Sequence, residues 1–206
     1  AERPIVDLTA ILGACWALAA PVIQLKVFPT ETKSMHAMVV RQGHRHAIML
    51  ARASRFSAQV AFTLAHEIGH AALGHLADTT AIVDMEDPSA HTSGDKQELE
   101  ADRFALELLT GSPEPDIRIE GARITARALA KAVAQAGPAH RIDPAMLALC
   151  VGHQRQEWRA AVGALGILDP EPSDPASLIN RSAAEQLEWD ALGEDAVDWL
   201  RKVTGQ

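Results

Sequence analysis

The strongest constraint on the fold is a stretch at residues 57–76 in which apolar residues recur every four positions. They are Val60, Leu64, Ile68, Ala72 and Leu76. This period predicts an amphipathic helix, with Ser57 as its N-cap. The same stretch contains the run His66-Glu67-Ile68-Gly69-His70, so two histidines and a glutamate are expected on this helix.

The spacing of the two histidines indicates a metal site. Residues four apart lie about 40° apart around a helix axis, so His66 and His70 direct two imidazoles at one point. Neutral imidazoles bind Zn²⁺ at about 2.0–2.1 Å. Glu67 borders the same face, where a carboxylate can act as a general base without being a ligand. The alternative is two half-buried histidines that bond to backbone carbonyls.

A third ligand is expected from a second predicted helix at residues 96–109. Glu98 and Asp102 are again four residues apart and share a face of that helix. One carboxylate can complete a His₂Glu zinc site with a fourth position left for water, and the other can accept the N–H of a ligand imidazole. An alternative for Glu98 is a capping box with Asp95, in which its side chain bonds to the backbone.

Two residues close to these motifs are not expected to be ligands. Glu100 lies about 200° from Glu98 around the second helix, so both carboxylates cannot contact one metal ion. His75 follows His66 by nine residues and lies about 180° away on the first helix. It is predicted to be a surface histidine or one that contacts another residue of the site.

Two segments carry a resemblance to the ImmA/IrrE family of metallopeptidases. Residues 62–70, FTLAHEIGH, with Gly74 and His75 after them, resemble the zinc helix of that family. Residues 98–105, ELEADRFA, followed by Leu108 and Leu109, resemble its second motif. The resemblance extends over residues 35–110, about a third of the chain.

The resemblance implies a thermolysin-like zinc peptidase. It carries over His66, His70 and Glu98 as zinc ligands and Glu67 as the base. Asp102 stands where the family often has Asn, and it would bond to a ligand histidine. The implied activity is zinc-dependent cleavage, in the cytoplasm, of a protein substrate that is a helix-turn-helix transcriptional repressor. The alternative is a non-catalytic, zinc-stabilised regulatory protein that binds and sequesters a repressor or another partner.

One part of a peptidase site is not evident in the sequence. The developing oxyanion needs a donor besides the metal, and the chain has no Tyr, which often serves there in related zinc peptidases. A histidine, an arginine or the backbone must supply it. The candidate histidines are His36, His91, His140 and His153.

The remaining pattern predicts an α+β fold. A small, antiparallel-containing sheet from residues 22–51 is expected to pack on the two zinc-bearing helices, in a zincin-like core at residues 1–111. Residues 112–206 are expected to form a helical C-terminal region with a helix-turn-helix-like segment at 119–168 and an acidic tail at 169–206. The predicted elements are a helix at 7–20, a strand at 22–28, a hairpin of 36–40 and 46–50, a loop at 77–95, and helices at 119–135 and 144–165 joined by a turn at Gly137-Pro138.

Charge and composition exclude several functions. The 27 acids and 19 bases give a net charge of −8, which argues against strong nucleic-acid binding because that binding depends on phosphate neutralisation. Residues 118–168 have seven bases and three acids, and the tail at 169–206 has three bases and nine acids. We expect the basic segment to be a solvated face that pairs with the acidic tail.

A membrane span and an oxidising compartment are also not expected. Residues 8–25 are nearly free of charge, but Pro21 interrupts them, so they predict a buried helix followed by a strand. Cys15 and Cys150 form neither a disulfide framework nor a metal-binding pair, and the first residues lack a basic signal-peptide region. The cytoplasm is therefore the expected location.

Overall fold

The computed structural model describes residues 5–27, 35–85, 96–115, 124–171 and 173–205. Within these ranges the fold is α+β, as the sequence predicts, with a four-stranded sheet and helices packed against it. The predictions for His91, for the capping-box residue Asp95 and for the start of the helix at 119–135 concern residues outside the described ranges.

The sheet is mixed and has the strand order β1-β3-β2-β4. Its strands are β1 (Val22–Gln24), β2 (Ala37–Gln42), β3 (Arg45–Leu50) and β4 (Ala81–Asp84). Strand β1 runs parallel to β3, and β2 is antiparallel to both β3 and β4. The predicted hairpin is confirmed, since β2 and β3 pair across a two-residue turn.

Two strand predictions need correction. Strand β1 ends at Gln24 instead of residue 28, because the backbone N–H of Lys26 donates to the carbonyl of Val203 outside the sheet. Strand β4 lies in the segment that the sequence predicts as a loop. Its pairing with β2 orders a stretch whose short apolar pattern, Ile82-Val83, does not by itself indicate a strand.

Three helices are described within residues 5–115. They are α1 (Leu8–Ala17), α2 (Ser57–Ala72) and α3 (Lys96–Thr110). Helix α1 is capped by Asp7 and ends three residues earlier than predicted, because Ala19 takes a left-handed φ of 53°. The N-cap of α2 is Phe56, so the prediction of Ser57 is wrong. Helix α2 contacts β2 and β3 and packs along α3, which brings the two predicted metal-binding motifs together.

Five further helices follow. They are α4 (Ala126–His140), α5 (Pro144–Arg155), α6 (Trp158–Leu168), α7 (Pro175–Gln186) and α8 (Glu194–Thr204). The predicted turn at Gly137-Pro138 is wrong, since both residues lie in the last turn of α4 and the chain reverses at Arg141, whose φ is 56°. The single helix predicted at 144–165 is two helices, because Gln156 has a φ of 55° between α5 and α6.

One buried apolar core extends from α1 through the sheet and α2 to α6 and α7. Helix α5 contacts both α2 and α3, so the core crosses the predicted boundary at residue 111. The division into 1–111 and 112–206 and the helix-turn-helix-like segment stay predictions. Among the described helices, none is both long and apolar enough to cross a membrane.

The outer edge of β1 is covered by the C-terminal helices. Asn180 on α7 accepts a hydrogen bond from the backbone N–H of Gln24 at 2.8 Å and donates to its carbonyl at 2.9 Å. Its amide also donates to the carbonyl of Thr204 at 3.1 Å. One buried amide therefore joins β1, α7 and the end of α8.

Candidate metal centre

His66 and His70 lie one turn apart on α2, on the face directed at α3. Their side chains are fully buried, and their Nε2 atoms are 3.0 Å apart. The convergence follows from the four-residue spacing, because successive turns of a helix stack such side chains on one face. The alternative in which both histidines bond to backbone carbonyls does not describe this geometry, since the two Nε2 atoms face each other.

Glu98, in the first turn of α3, supplies a carboxylate to the same point. One oxygen, Oε2, lies 3.1 Å from His66 Nε2, and the other, Oε1, lies 3.6 Å from His70 Nε2. Among the described residues, His66, His70 and Glu98 form a group that could hold a metal ion, with ligand atoms within 4.8 Å of one another.

The separations of these ligand atoms suit a small tetrahedral cation. Ligands about 2.0–2.1 Å from a tetrahedral Zn²⁺ lie about 3.3 Å from one another. The two Nε2 atoms are 3.0 Å apart, and each of them lies near this separation from one oxygen of Glu98, at 3.1 Å from Oε2 for His66 and 3.6 Å from Oε1 for His70. Two imidazoles and one carboxylate also form a donor set typical of catalytic zinc, which leaves a fourth position open. The three side chains therefore fit zinc.

Asp102 lies one turn after Glu98 and contacts His66 on the Nδ1 side of its ring, away from Nε2. Its Oδ1 is 2.9 Å from His66 Nδ1, and the residue is 9% exposed. Because a carboxylate accepts, the Nδ1–H of His66 donates to Asp102, which directs the lone pair of neutral His66 Nε2 towards His70 and Glu98. This is the contact expected for the second carboxylate of the Glu98–Asp102 pair.

The two carboxylates make the centre favourable for positive charge. Burial lowers the pKa of His66, but hydrogen bonds to Asp102 and Glu98 outweigh burial and raise it to about 10. The hydrogen bonds from His66 and His70 hold the pKa of Glu98 well below its usual range. A proton on His66 and a divalent cation would compete for the same place, so metal binding is expected to release that proton.

Glu67 is fully buried beside this group. Among the described residues, neither of its carboxylate oxygens has a hydrogen-bond partner. Its pKa is raised to about 8: burial is the largest cause, the charge of His66 opposes it, and the negative charges of Asp84 and Glu98 add to it. A carboxylate whose pKa is near the working pH can both take and return a proton, which is the requirement for a general base.

Sequence reasoning missed the contribution of Asp84. This residue is 7% exposed on β4, in the segment predicted as a loop, so no pattern connected it with Glu67. Its place in the sheet is set by the pairing of β4 with β2, in which Asp84 faces Ala37.

His75 and Glu100 form a second contact with the metal-ligand group. His75 Nδ1 lies 3.0 Å from His70 Nδ1, and His75 Nε2 lies 3.3 Å from Glu100 Oε2. His75 contacts the Nδ1 side of His70, and Glu100 lies beyond His75; that neither residue is a ligand stays a prediction. The contact between them was not predicted, because it depends on how the chain turns after α2.

A cavity of about 90 Å³ adjoins Asp102, between α2, α3, α5 and the end of β3. Of the four candidate oxyanion donors, His36 and His153 line this cavity, whereas His140 lies exposed at the end of α4. The rest of the lining is mainly apolar and includes Phe62, Leu106, Met146 and Trp158.

The sequence matches a known protein family. The sequence model of the family described as Peptidase U49 matches residues 29–139, which include His66, Glu67, His70 and Glu98. No curated protein matches the chain. The match covers more than half of the sequence and contains the whole candidate centre, and it supports a proteolytic function. The chain belongs to the Peptidase U49 family.

Proposed function

We propose that the protein is a zinc-dependent endopeptidase whose metal is held by His66, His70 and Glu98 and whose general base is Glu67. The observation that carries this proposal is the convergence of three ligand atoms beside a buried carboxylate that has no hydrogen-bond partner among the described residues. Membership of a peptidase family supports hydrolysis of a peptide bond as the reaction.

Different residues of the chain have different roles in peptide hydrolysis. A bound zinc ion supplies Lewis acidity, which makes water nucleophilic near neutral pH. Glu67 takes a proton from the attacking water and delivers it to the nitrogen of the leaving amine. Asp102 keeps the Nδ1 proton on His66, so that Nε2 remains a ligand.

The substrate class follows from the resemblance of residues 62–70 and 98–105 to ImmA/IrrE peptidases. On that ground the substrate is a helix-turn-helix transcriptional repressor, cleaved in the cytoplasm. His36 and His153, which line the apolar cavity beside Asp102, stay candidate oxyanion donors among the described residues.

The test separates metal binding from catalysis. The zinc-loaded protein is incubated with a library of synthetic peptides, and new termini are identified by mass spectrometry. Glu67→Gln is expected to bind zinc as the wild type does and to cleave at least about 100-fold more slowly, because a general base contributes 10²–10⁴. Glu98→Ala is expected to lose zinc, whereas Leu99→Ala, at the exposed neighbouring position, keeps it.

Two outcomes would contradict the proposal. Equal cleavage by the wild type and by Glu67→Gln would remove Glu67 from the reaction. If a repressor-controlled reporter responds equally to wild type and Glu67→Gln, and neither cleaves the repressor, the protein acts by sequestration instead.

A further inference from the structure

The chain reverses direction immediately after α2, and the reversal depends on Gly74. Gly74 has a φ of 77°, in the left-handed region that favours glycine. The backbone N–H of His75 donates to the carbonyl of His70 at 3.0 Å, and that of Gly74 donates to the carbonyl of Ala71 at 3.4 Å. These two bonds form a Schellman cap. The cap places His75 beside His70, five residues earlier in the sequence.

The side chains of His75 and His70 are in contact, as their backbones are. His75 Nδ1 lies 3.0 Å from His70 Nδ1, with the two rings roughly perpendicular at 71°. On its other side, His75 Nε2 lies 3.3 Å from Glu100 Oε2, and Lys96 Nζ lies 3.1 Å from Glu100 Oε1. The side chain of His75 is 6% exposed, so its two ring nitrogens meet protein partners on both sides.

The chemistry of these groups assigns one hydrogen-bond direction. A carboxylate only accepts, so His75 Nε2 carries the proton that Glu100 receives. A neutral His75 then has a lone pair on Nδ1, which accepts from the Nδ1–H of His70. When a cation replaces the protons at the centre, His70 consequently has its lone pair on Nε2, the atom that faces His66 and Glu98.

We propose that His75, anchored by Glu100, is the positioning residue that sets the tautomer and ring orientation of His70 for metal binding. The proposal rests on the metal centre proposed above. Under this proposal a carboxylate orients each histidine ligand. Asp102 orients His66 directly, and Glu100 orients His70 through His75. Partners of this sort orient ligand imidazoles and change metal affinity by 10–100-fold when they are removed.

The side chain of His75 is not required for the helix cap. Both cap bonds use backbone atoms, so a substitution at position 75 leaves them available. This separation allows a test in which the fold is kept and only the contact to His70 changes.

The experiment measures zinc affinity by chelator competition and the visible spectrum of the Co²⁺ form. His75→Phe keeps an aromatic ring without nitrogens and is expected to lower zinc affinity by about 10–100-fold and to shift the Co²⁺ bands. His75→Asn keeps an acceptor where Nδ1 lies and is expected to recover much of the loss. Glu100→Ala is expected to lower zinc affinity less than His75→Phe does, and His44→Phe, in the exposed turn between β2 and β3, is expected to leave it unchanged.

The outcomes distinguish this proposal from the proposed function. If the wild type binds both metals and His75→Phe matches it in affinity and in spectrum, the positioning role is wrong and the metal centre stands. If circular dichroism shows that His75→Phe does not fold, unchanged zinc affinity in Glu100→Ala overturns the proposal instead. If the wild type binds neither metal, the metal centre is wrong, and the role of His75 with it.

Discussion

Glu67 combines two properties that proteins rarely combine, full burial and a carboxylate with no hydrogen-bond partner among the described residues. Such a group is costly to ionise, because burial removes the water that would solvate its charge. The cost is consistent with a catalytic role, since a residue that must exchange a proton cannot be held permanently in an ion pair.

The raised pKa of Glu67 has a consequence for stability. With a pKa moved from 4.5 to about 8, the folded protein binds this proton more tightly than the unfolded chain does. Stability of the metal-free protein therefore falls as the pH rises from about 4.5 through about 8. Glu67→Gln is expected to remove this dependence and to be more stable than the wild type at pH 8.5 by about 1–3 kcal/mol, or about 2–4 °C in Tm for each kcal/mol.

Thermal melts of metal-free protein between pH 5 and about 9 check this expectation. His66, whose pKa is raised from 6.5 to about 10, adds a decline of its own, which Glu67→Gln reduces only in part because Asp102 and Glu98 are the main causes that raise the pKa of His66. Glu107→Gln, at an exposed position on α3, is the matched control. If the Tm of the wild type and that of Glu67→Gln change with pH in parallel, the pKa of Glu67 is not raised by burial.

Much of the candidate centre could be predicted at the scale of residues, because helical geometry alone relates the positions. His66 to His70 and Glu98 to Asp102 are both four-residue spacings, and each pair needs only its own helix to share a face. Asp84 and the contact between His75 and Glu100 could not be predicted in this way. They depend on where a strand or a chain reversal brings a side chain, although Gly74 is a local signal for the reversal.

At the scale of elements, the centre depends on how closely α2 and α3 approach. A Cβ at Gly69 would lie 3.1 Å from Ala101 Cα, 3.2 Å from its carbonyl oxygen and 3.3 Å from Phe104 Cδ1. Gly69 thus lies where a helix backbone meets another backbone, between the two ligand histidines in sequence. The absence of a side chain there lets α3 bring Glu98 to the histidines.

Gly69→Ala is expected to push α3 away from α2. The overpacking should reduce the free energy of unfolding by about 1–3 kcal/mol and weaken zinc binding, because Glu98 moves with α3. The control is Gly13→Ala on α1, where a Cβ would meet nothing within 4 Å, and which should be neutral or stabilising by up to about 1 kcal/mol. Denaturant unfolding and chelator competition measure the two effects, and unchanged zinc affinity in Gly69→Ala would contradict this account.

Element boundaries were less predictable than element types. The hairpin and helices α1, α2 and α3 follow from periodicity, but single residues with left-handed backbone end or divide helices in ways that periodicity does not show. Ala19, Arg141 and Gln156 each do so without being glycine. Each lies in a local helix cap, in which the next backbone N–H donates to the carbonyl five residues earlier: Ala20 to Cys15, Ile142 to Gly137 and Glu157 to Gly152. A cap of this kind at a non-glycine residue is not visible in the apolar periodicity.

At the scale of the whole molecule, the continuous core predicts one cooperative unit. Apolar residues from Leu8 on α1 to Ile179 on α7 belong to one buried cluster. The chain is therefore expected to unfold in a single calorimetric transition, which saturating Zn²⁺ raises. At a free zinc concentration 100 times Kd the added stability is about 2.7 kcal/mol.

Differential scanning calorimetry with and without Zn²⁺ measures both effects. Two transitions, only one of them responsive to zinc, would show instead that residues 1–111 and 112–206 fold as separate units. Glu98→Ala serves as the control, because it should keep the single transition and lose the response to zinc.

The bonds between Asn180 and Gln24 also bear on how the protein is made. They join residues 156 positions apart, and at a synthesis rate of about 5–20 residues per second the ribosome needs about 8–30 s to bridge that separation. During this time the outer side of β1 offers unsatisfied peptide groups to any neighbouring chain, a known route to aggregation. We therefore expect the nascent polypeptide to be most prone to aggregation before α7 and α8 have emerged.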